Sequence, residues 1–457
     1  MIAPTGENKR RPYAPVRRTM ARVTVVSSAA IIIFATLWPQ GSIDEAGALL
    51  SGDAGGRLNL ADMVANIVLF APFGFGLLLT VRNCATGPGR LRMRSPLPVT
   101  IIAALVLSTA IELAQLSGIV GGRHPSPVDV LCNTLGATFG AFIAGSRNAL
   151  LHSSKRSATV FALTWTAFVI AFLACSGWMM SRSESEATAV TRSRLPFTTG
   201  FGWFEQSVDF GVVDDVAFTH SAGGALIVEA SARRSHDVGV SVRGRDRRRS
   251  FVPILFVHDA RDSLQHVTIG QKGDAFGLRV RTNAYSLGLV LPPLLVGDFP
   301  DAVGDTVGAL HPFLPTTISA TIRPDSWTLE ARRGTRVVEI GYKVRPAGAW
   351  MLFVPLGNIT GLFAMAGSLM LVAILFNPLA WWTTMALGGR LPALGLAAFT
   401  SAGLLLATAA LFRLSYPVWQ EWVITWLATS GTFLLARRQV ARDALAISSI
   451  DGKAAAK

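Results

Sequence analysis

Eight mainly apolar runs punctuate this chain, at about 22–39, 62–82, 97–118, 127–146, 157–180, 350–376, 391–412 and 417–436. About 20 such residues in a helix cross the hydrocarbon core of a bilayer. Lipid supplies no hydrogen bonds, so a crossing segment has to satisfy its own backbone, and a helix does this within a single segment. These runs therefore specify an α-helical polytopic membrane protein, with five helices before a long central interruption and three after it. The composition agrees, since 51% of the 457 residues are hydrophobic and only 15% charged, against roughly 25% charged in a soluble protein. The first run reads as an uncleaved helix and not as a signal peptide, because the nearest small-residue site, "AGA" at 46–48, lies far beyond its end.

The net charge of +14 points to the membrane and not to nucleic acid, because the basic residues lie in short clusters beside apolar runs. The clusters are Lys9, Arg10, Arg11, Arg17, Arg18 and Arg22; Arg82, Arg90, Arg92 and Arg94; Arg147, Lys155 and Arg156; and Arg437, Arg438 and Arg442. With the N-terminus inside the cell, all of them fall on the cytoplasmic side, as the positive-inside rule requires. The loops at 40–61, 119–126 and 413–416, and the whole of residues 181–348, then face outward. Membrane lipids are the partners this pattern implies, and it carries no indication of oligomeric state.

Residues 181–348 change character. "ALIVEAS" (225–231), "VGVSVR" (238–243), "HVTIGQ" (266–271), "FGLRVRT" (276–282), "TISATIRP" (317–324), "SWTLEAR" (326–332) and "RVVEIG" (336–341) alternate apolar and polar residues, and "ARRGTR" reads as a hairpin turn. Many short strands separated by turn signals predict an extracytoplasmic β-sandwich. The expected organisation is a basic cytoplasmic tail (1–21), a five-helix membrane domain (22–180), the sandwich (181–348), a three-helix membrane domain (349–436) and a cytoplasmic tail (437–457). Cys84, Cys132 and Cys175 lie outside the central region and imply no disulfide framework. No P-loop, HExxH, CxxC or GxSxG is present, so no cofactor or metal is implied.

A charge near the bilayer centre costs at least about 2.5–3.5 kcal/mol, so such residues turn inward or mark a site. The first five helices carry a polar stripe. Asp62, Asn66 and Phe70 recur every fourth residue ahead of Pro72 and Gly74; Ser108, Glu112 and Gln115 share the next helix; Asp129, Asn133, Gly136 and Gly140 share the one after. "SPVD" at 126–129 reads as a helix start with Ser126 as N-cap. In the predicted topology Asp62, Glu112, Gln115, Arg123, Ser126 and Asp129 all fall near the outer leaflet. Three readings stay open: the groups lock helices together, with Arg123 pairing Asp129 or Glu112 and Asn66 pairing Asn133; they bind a polar headgroup or glycan; or Glu112, with Asp62 or Asp129, serves as a catalytic acid and base. His124 stands beside Arg123 and reads either as a member of such a site or as a solvated loop histidine.

"DMVANIVLFAPFGFG" (62–76), "IELAQ" (111–115) and "GRHPSPVDVLCNTLGATFG" (122–140) together resemble the VanZ-like membrane protein family. Asp62, Asn66, Phe70, Pro72, Gly74, Glu112, Gln115, Arg123, Ser126, Asp129, Asn133, Gly136 and Gly140 carry the resemblance, which spans about residues 22–180. It implies a role in the cell envelope; the family's namesake is associated with low-level resistance to the glycopeptide antibiotic teicoplanin. "ILFVHDARDSLQHVTIGQKGDAFGLRVRT" (254–282) and "SWTLEARRGTRVVEI" (326–340) resemble a LamG or concanavalin A-like jelly roll. That second resemblance implies binding of glycans or proteins, although no calcium ligand cluster stands out; Asp214, Asp215, Asp259 and Asp262 read as solvated loop acids.

The basic run "SVRGRDRRRS" (241–250) reads as a solvated loop or as a contact for anionic lipid or an acidic envelope polymer. Trp350, Trp381, Trp382, Trp419, Trp422 and Trp426, and the acid Glu421, read as interfacial groups near helix ends. The expected function is an envelope protein that binds or handles an envelope glycan or lipid-linked saccharide. The alternative is an intramembrane enzyme acting on lipid-linked or surface polysaccharide through Glu112 with Asp62 or Asp129.

Overall fold

The computed structural model describes residues 14–37, 60–84, 96–117, 126–182, 188–192, 207–213, 216–219, 226–228, 236–243, 251–259, 265–297, 315–354 and 358–455. The chain divides into two compact units. The first holds four described helices, and its last residue is His152; the second runs from Ser153 onward.

In the first unit the helices are α1 (Ala14–Leu37), α2 (Leu60–Cys84), α3 (Leu97–Leu116) and α4 (Pro127–Leu151). Their inward faces meet in a core of Ile32, Phe70, Phe73, Ala104, Ile111 and Ala137. The outward faces stay apolar, with Val68, Val106, Phe139 and Phe142 exposed, which is what lipid contact demands. The closest approach is between α2 and α4. A Cβ on Gly140 would meet the carbonyl oxygen of Ala71, one on Gly136 that of Ile67, and one on Gly74 that of Ala137. Small residues let two backbones touch in this way, and dispersion then holds helices that gain nothing from excluding water. Pro72 lies inside α2 and cannot donate to the Val68 carbonyl.

The second unit opens with α5 (Lys155–Met180) and closes with α6 (Leu362–Ala386), α7 (Leu391–Leu411) and α8 (Trp419–Ala455). The helix from 155, expected to belong with the four before it, packs here against α6 and α7. Val169, Leu173, Val372, Leu375, Phe376, Leu379 and Leu405 form the core between them. The Trp165 indole donates to the Leu375 carbonyl at 2.7 Å.

Between α5 and α6 stand twelve described strands: β1 (Thr188–Arg192), β2 (Ser207–Val213), β3 (Val216–Thr219), β4 (Leu226–Val228), β5 (His236–Arg243), β6 (Phe251–Asp259), β7 (Gln265–Lys272), β8 (Ala275–Val280), β9 (Leu294–Val296), β10 (Thr316–Ile322), β11 (Ser326–Arg333) and β12 (Arg336–Lys343). They form two six-stranded sheets, ordered β4-β1-β6-β7-β8-β9 and β12-β11-β10-β5-β2-β3, and every described pairing is antiparallel. The sheets touch where β11 and β12 meet β8 and β9. Strand alternation puts Ile318, Ala320 and Ile322 of β10 and Trp327, Leu329 and Ala331 of β11 in the interior. The predicted hairpin is present, with Arg333 paired to Arg336 around Gly334 at φ 58°.

The helix-rich and strand-rich parts of this unit are joined by a polar seam. The Asn283 side chain donates to Ser181 Oγ at 2.8 Å and to the Trp178 carbonyl at 3.2 Å, at the end of α5. Ser415 donates its N–H to Val344 at 2.9 Å and its hydroxyl to the Asp325 carbonyl at 2.7 Å. Arg345 pairs with Glu421 at 2.5 Å, and the Glu421 side chain is only 1% exposed. Beside this pair, burial pushes the Tyr342 phenol well above its usual range while Arg345 pulls the other way.

Four expectations change. Seven described helices, not eight, are long and apolar enough to cross a bilayer. The last apolar run is helical but continues as one 37-residue helix to Ala455, so the expected C-terminal tail is helical as far as Ala455. The helix-forming "ARRQVARDALA" carries it on, with Gln439 bonded to Asp443 one turn later at 2.8 Å. Its Thr425 and Thr429 dilute the apolar character and return their hydroxyls to carbonyls four residues back, each at 2.7 Å. The sixth span, expected at 350–376, is displaced to Leu362–Ala386, because Pro346–Leu352 forms a 3₁₀ turn and the helix continues through Pro378. Glu421, expected at the interface, is buried in the ion pair.

Gly140→Ala is expected to lower the unfolding free energy in detergent by about 1–3 kcal/mol, the usual effect of overpacking. Gly145→Ala, whose added carbon would lie 3.7 Å from Leu78, should melt like the wild type. Arg345→Ala strands a buried carboxylate and should cost about 3–5 kcal/mol, and adding Glu421→Leu should restore most of that loss. Thermal unfolding of the four variants beside the wild type checks both expectations.

Candidate functional site

Because α1 to α4 alternate in direction, the end of α1, the start of α2, the end of α3 and the start of α4 share one end of the first unit. The polar stripe gathers there. Ser126 has extended backbone angles and its hydroxyl accepts the Val128 N–H at 3.2 Å, so it caps α4 with Pro127 in the first turn. In a capping box the acid three residues on would accept the cap residue's own N–H. Here Glu112 of α3 accepts it instead, at 2.8 Å. The carboxylate thus sits at the positive end of the α4 dipole, where anions are favoured, and Asp129 occupies the first turn of the same helix.

One turn deeper, the Asn133 amide donates to Ser108 Oγ at 2.9 Å. The expected partnership of Asn133 with Asn66 is replaced by this one, because Ser108 is the hydroxyl that α3 turns toward α4. The Asn133 side-chain oxygen is buried and has no hydrogen-bond partner, in a residue only 2% exposed. Gln115 reaches the other way and donates to the Thr36 carbonyl of α1 at 3.2 Å. Thr36 is a participant with no sequence signal, since the group it contributes is its backbone. Glu112 and Gln115 are both buried, Asn66 and Asp129 half-buried, and Asp62 exposed at the start of α2. The structure thus brings Ser108, Glu112, Gln115, Ser126 and Asn133 into direct contacts. Arg123 and His124 lie outside the described residues, as do Asp214, Asp215 and Asp262.

The same segments decide the comparison with known proteins. Residues 14–148 match the VanZ/LLP1 family model. No curated protein and no solved structure matches the chain. The match stops in the last turn of α4, so α5, included in the resemblance read from the sequence, falls outside it. The VanZ/LLP1 region coincides closely with the first compact unit and contains the whole polar cluster. It belongs to a multi-pass helical membrane protein that also carries a region of two antiparallel sheets.

The contact between Glu112 and the Ser126 N–H makes a stability prediction. Glu112→Ala removes the acceptor and should cost about 1–2 kcal/mol, whereas Glu112→Gln keeps an acceptor oxygen and should stay close to wild type. Unfolding in detergent, followed by circular dichroism, separates the two.

Proposed function

We propose that this chain is a cell-envelope membrane protein whose VanZ/LLP1 helices bind the polar part of an envelope glycan or lipid-linked saccharide. The site is the helix-end cluster of Glu112, Gln115, Ser126, Asp129 and Asn133, with Asp62 and Asn66 at the same end. The observation that carries this reading is the Asn133 oxygen. A buried acceptor left without a donor costs roughly 1–3 kcal/mol, and a hydroxyl-rich ligand supplies such donors. The placement of the basic clusters supports an outward-facing site. The same alternation of crossings supports residues 181–348 standing outside the membrane, as a jelly roll of LamG or concanavalin A-like type that captures glycan. Resistance to glycopeptides such as teicoplanin is the phenotype the family resemblance favours.

Binding is preferred over catalysis on one specific ground. Proton transfer needs the Glu112 carboxyl to give up and regain a proton, while its contact with the Ser126 N–H engages one oxygen as an acceptor. Asp62, at the exposed start of α2, is suited to contacting a headgroup.

The test is native mass spectrometry of the purified full chain after incubation with a lipid extract from the envelope. The wild type should retain a saccharide-bearing lipid, and Glu112→Gln and Asp129→Asn should each reduce retention at least tenfold without lowering the melting temperature. Retention equal to wild type in both variants would sink the reading. Loss of folding in both would instead favour a purely structural role for the cluster.

A further inference from the structure

Beyond the VanZ/LLP1 cluster, the strand-rich region carries an arginine whose surroundings call for an anion. Arg281 follows directly on β8 and extends its pairing, donating its N–H to the His266 carbonyl at 2.8 Å. Its guanidinium carbon lies 4.4 Å from the centre of the Tyr285 ring. Such stacking fixes the orientation of the planar fork. The Nε of Arg281 is buried and has no hydrogen-bond partner. A charged donor hidden from water without an acceptor is costly, and an oxyanion relieves that cost through charge-assisted bonds.

Two features define the chemistry of the anion. Strand alternation puts Arg279 on the same face as Arg281, about 7 Å along the strand, and Arg279 is itself held 4.3 Å over the Phe251 ring. Two forks at that spacing suit a tetrahedral anion, which offers oxygens in several directions. The position defines the source. Asn283, two residues beyond Arg281, is bonded to Trp178 and Ser181 at the end of α5, one of the helices that can cross a bilayer. Trp178 and Leu287, on the 3₁₀ turn that also carries Tyr285, are 41% and 40% exposed. Exposed apolar and indole groups at a helix end mark the level of lipid headgroups.

We propose that Arg281, assisted by Arg279 and oriented by Tyr285, forms a site for a phosphate group where the strand-rich region meets the end of α5. A lipid headgroup is the expected source of that phosphate, and a free phosphate is the other source with the same chemistry.

The experiment titrates the full-length protein in non-ionic detergent with phosphatidic acid in mixed micelles and, separately, with inorganic phosphate, reading affinity by thermophoresis. The wild type is expected to bind phosphatidic acid, and Arg281→Gln to weaken binding at least tenfold with an unchanged melting temperature. Binding of inorganic phosphate with the same dependence on Arg281 supports the site with free phosphate as its source. Failure of the wild type to bind either probe, or equal affinity in Arg281→Gln, overturns the proposal. If Arg281→Gln does not melt like the wild type, Arg281→Lys carries the test. Lysine keeps the charge but loses the fork, so a loss of at least threefold supports the site and unchanged affinity overturns it.

Discussion

Polar groups in apolar surroundings have to find partners within the chain, and this requirement organises both units. In the first, Glu112 finds the Ser126 N–H, Gln115 the Thr36 carbonyl and Asn133 the Ser108 hydroxyl. Each bond crosses between helices, so the groups that are expensive to bury also set which helices lie side by side. Hydroxyls with no such partner return to their own helix, as Thr36 does to Ile32 and Thr138 to Thr134. Among the described residues, the buried side-chain atoms left over include the Asn133 oxygen in the first unit and, in the second, Arg281 Nε, the Ser176 and Tyr342 hydroxyls and the indole nitrogens of Trp327 and Trp381.

The same requirement joins strands to helices in the second unit. A domain inserted between two membrane helices can hang on flexible linkers, but here the attachment is built. Asn283 grips the end of α5, Ser415 bonds to Val344 and Asp325, and Arg345 neutralises Glu421. Gly177 lies against the Phe412 ring and Gly367 against the Trp350 ring, with no room for a Cβ at either position. Any ligand that engages the strands near Arg281 therefore acts on a body continuous with α5.

Much of this was legible beforehand. Helix content followed from apolar length, and the start of α4 from the order Ser126, Pro127, Asp129. The strands that alternate strictly, such as β10 and β11, were visible, whereas β1, β2, β3, β6 and β9 were not. Of these, β1, β3 and β9 span five, four and three residues, and in so short a stretch a period of two cannot be told from chance. The end of α6 was not legible, because the helix continues through Pro378, a residue tolerated inside a helix where neighbouring helices pack around it. In the site, residue types and spacing picked out Ser108, Glu112, Gln115 and Asn133 as one polar set.

Local pattern was sufficient for the helices, the existence of a strand-rich insert and the clustering of polar residues at one set of helix ends. Each of these depends on periodicity and composition within a single segment. Partnership was beyond its reach. That Asn133 meets Ser108 and not Asn66, that Glu112 caps a neighbouring helix, and that Glu421 is buried against Arg345 all depend on helix rotation and on contacts between residues up to 76 positions apart. Those contacts arise when side chains pack at glycine-width separations, and no single segment of sequence contains that geometry.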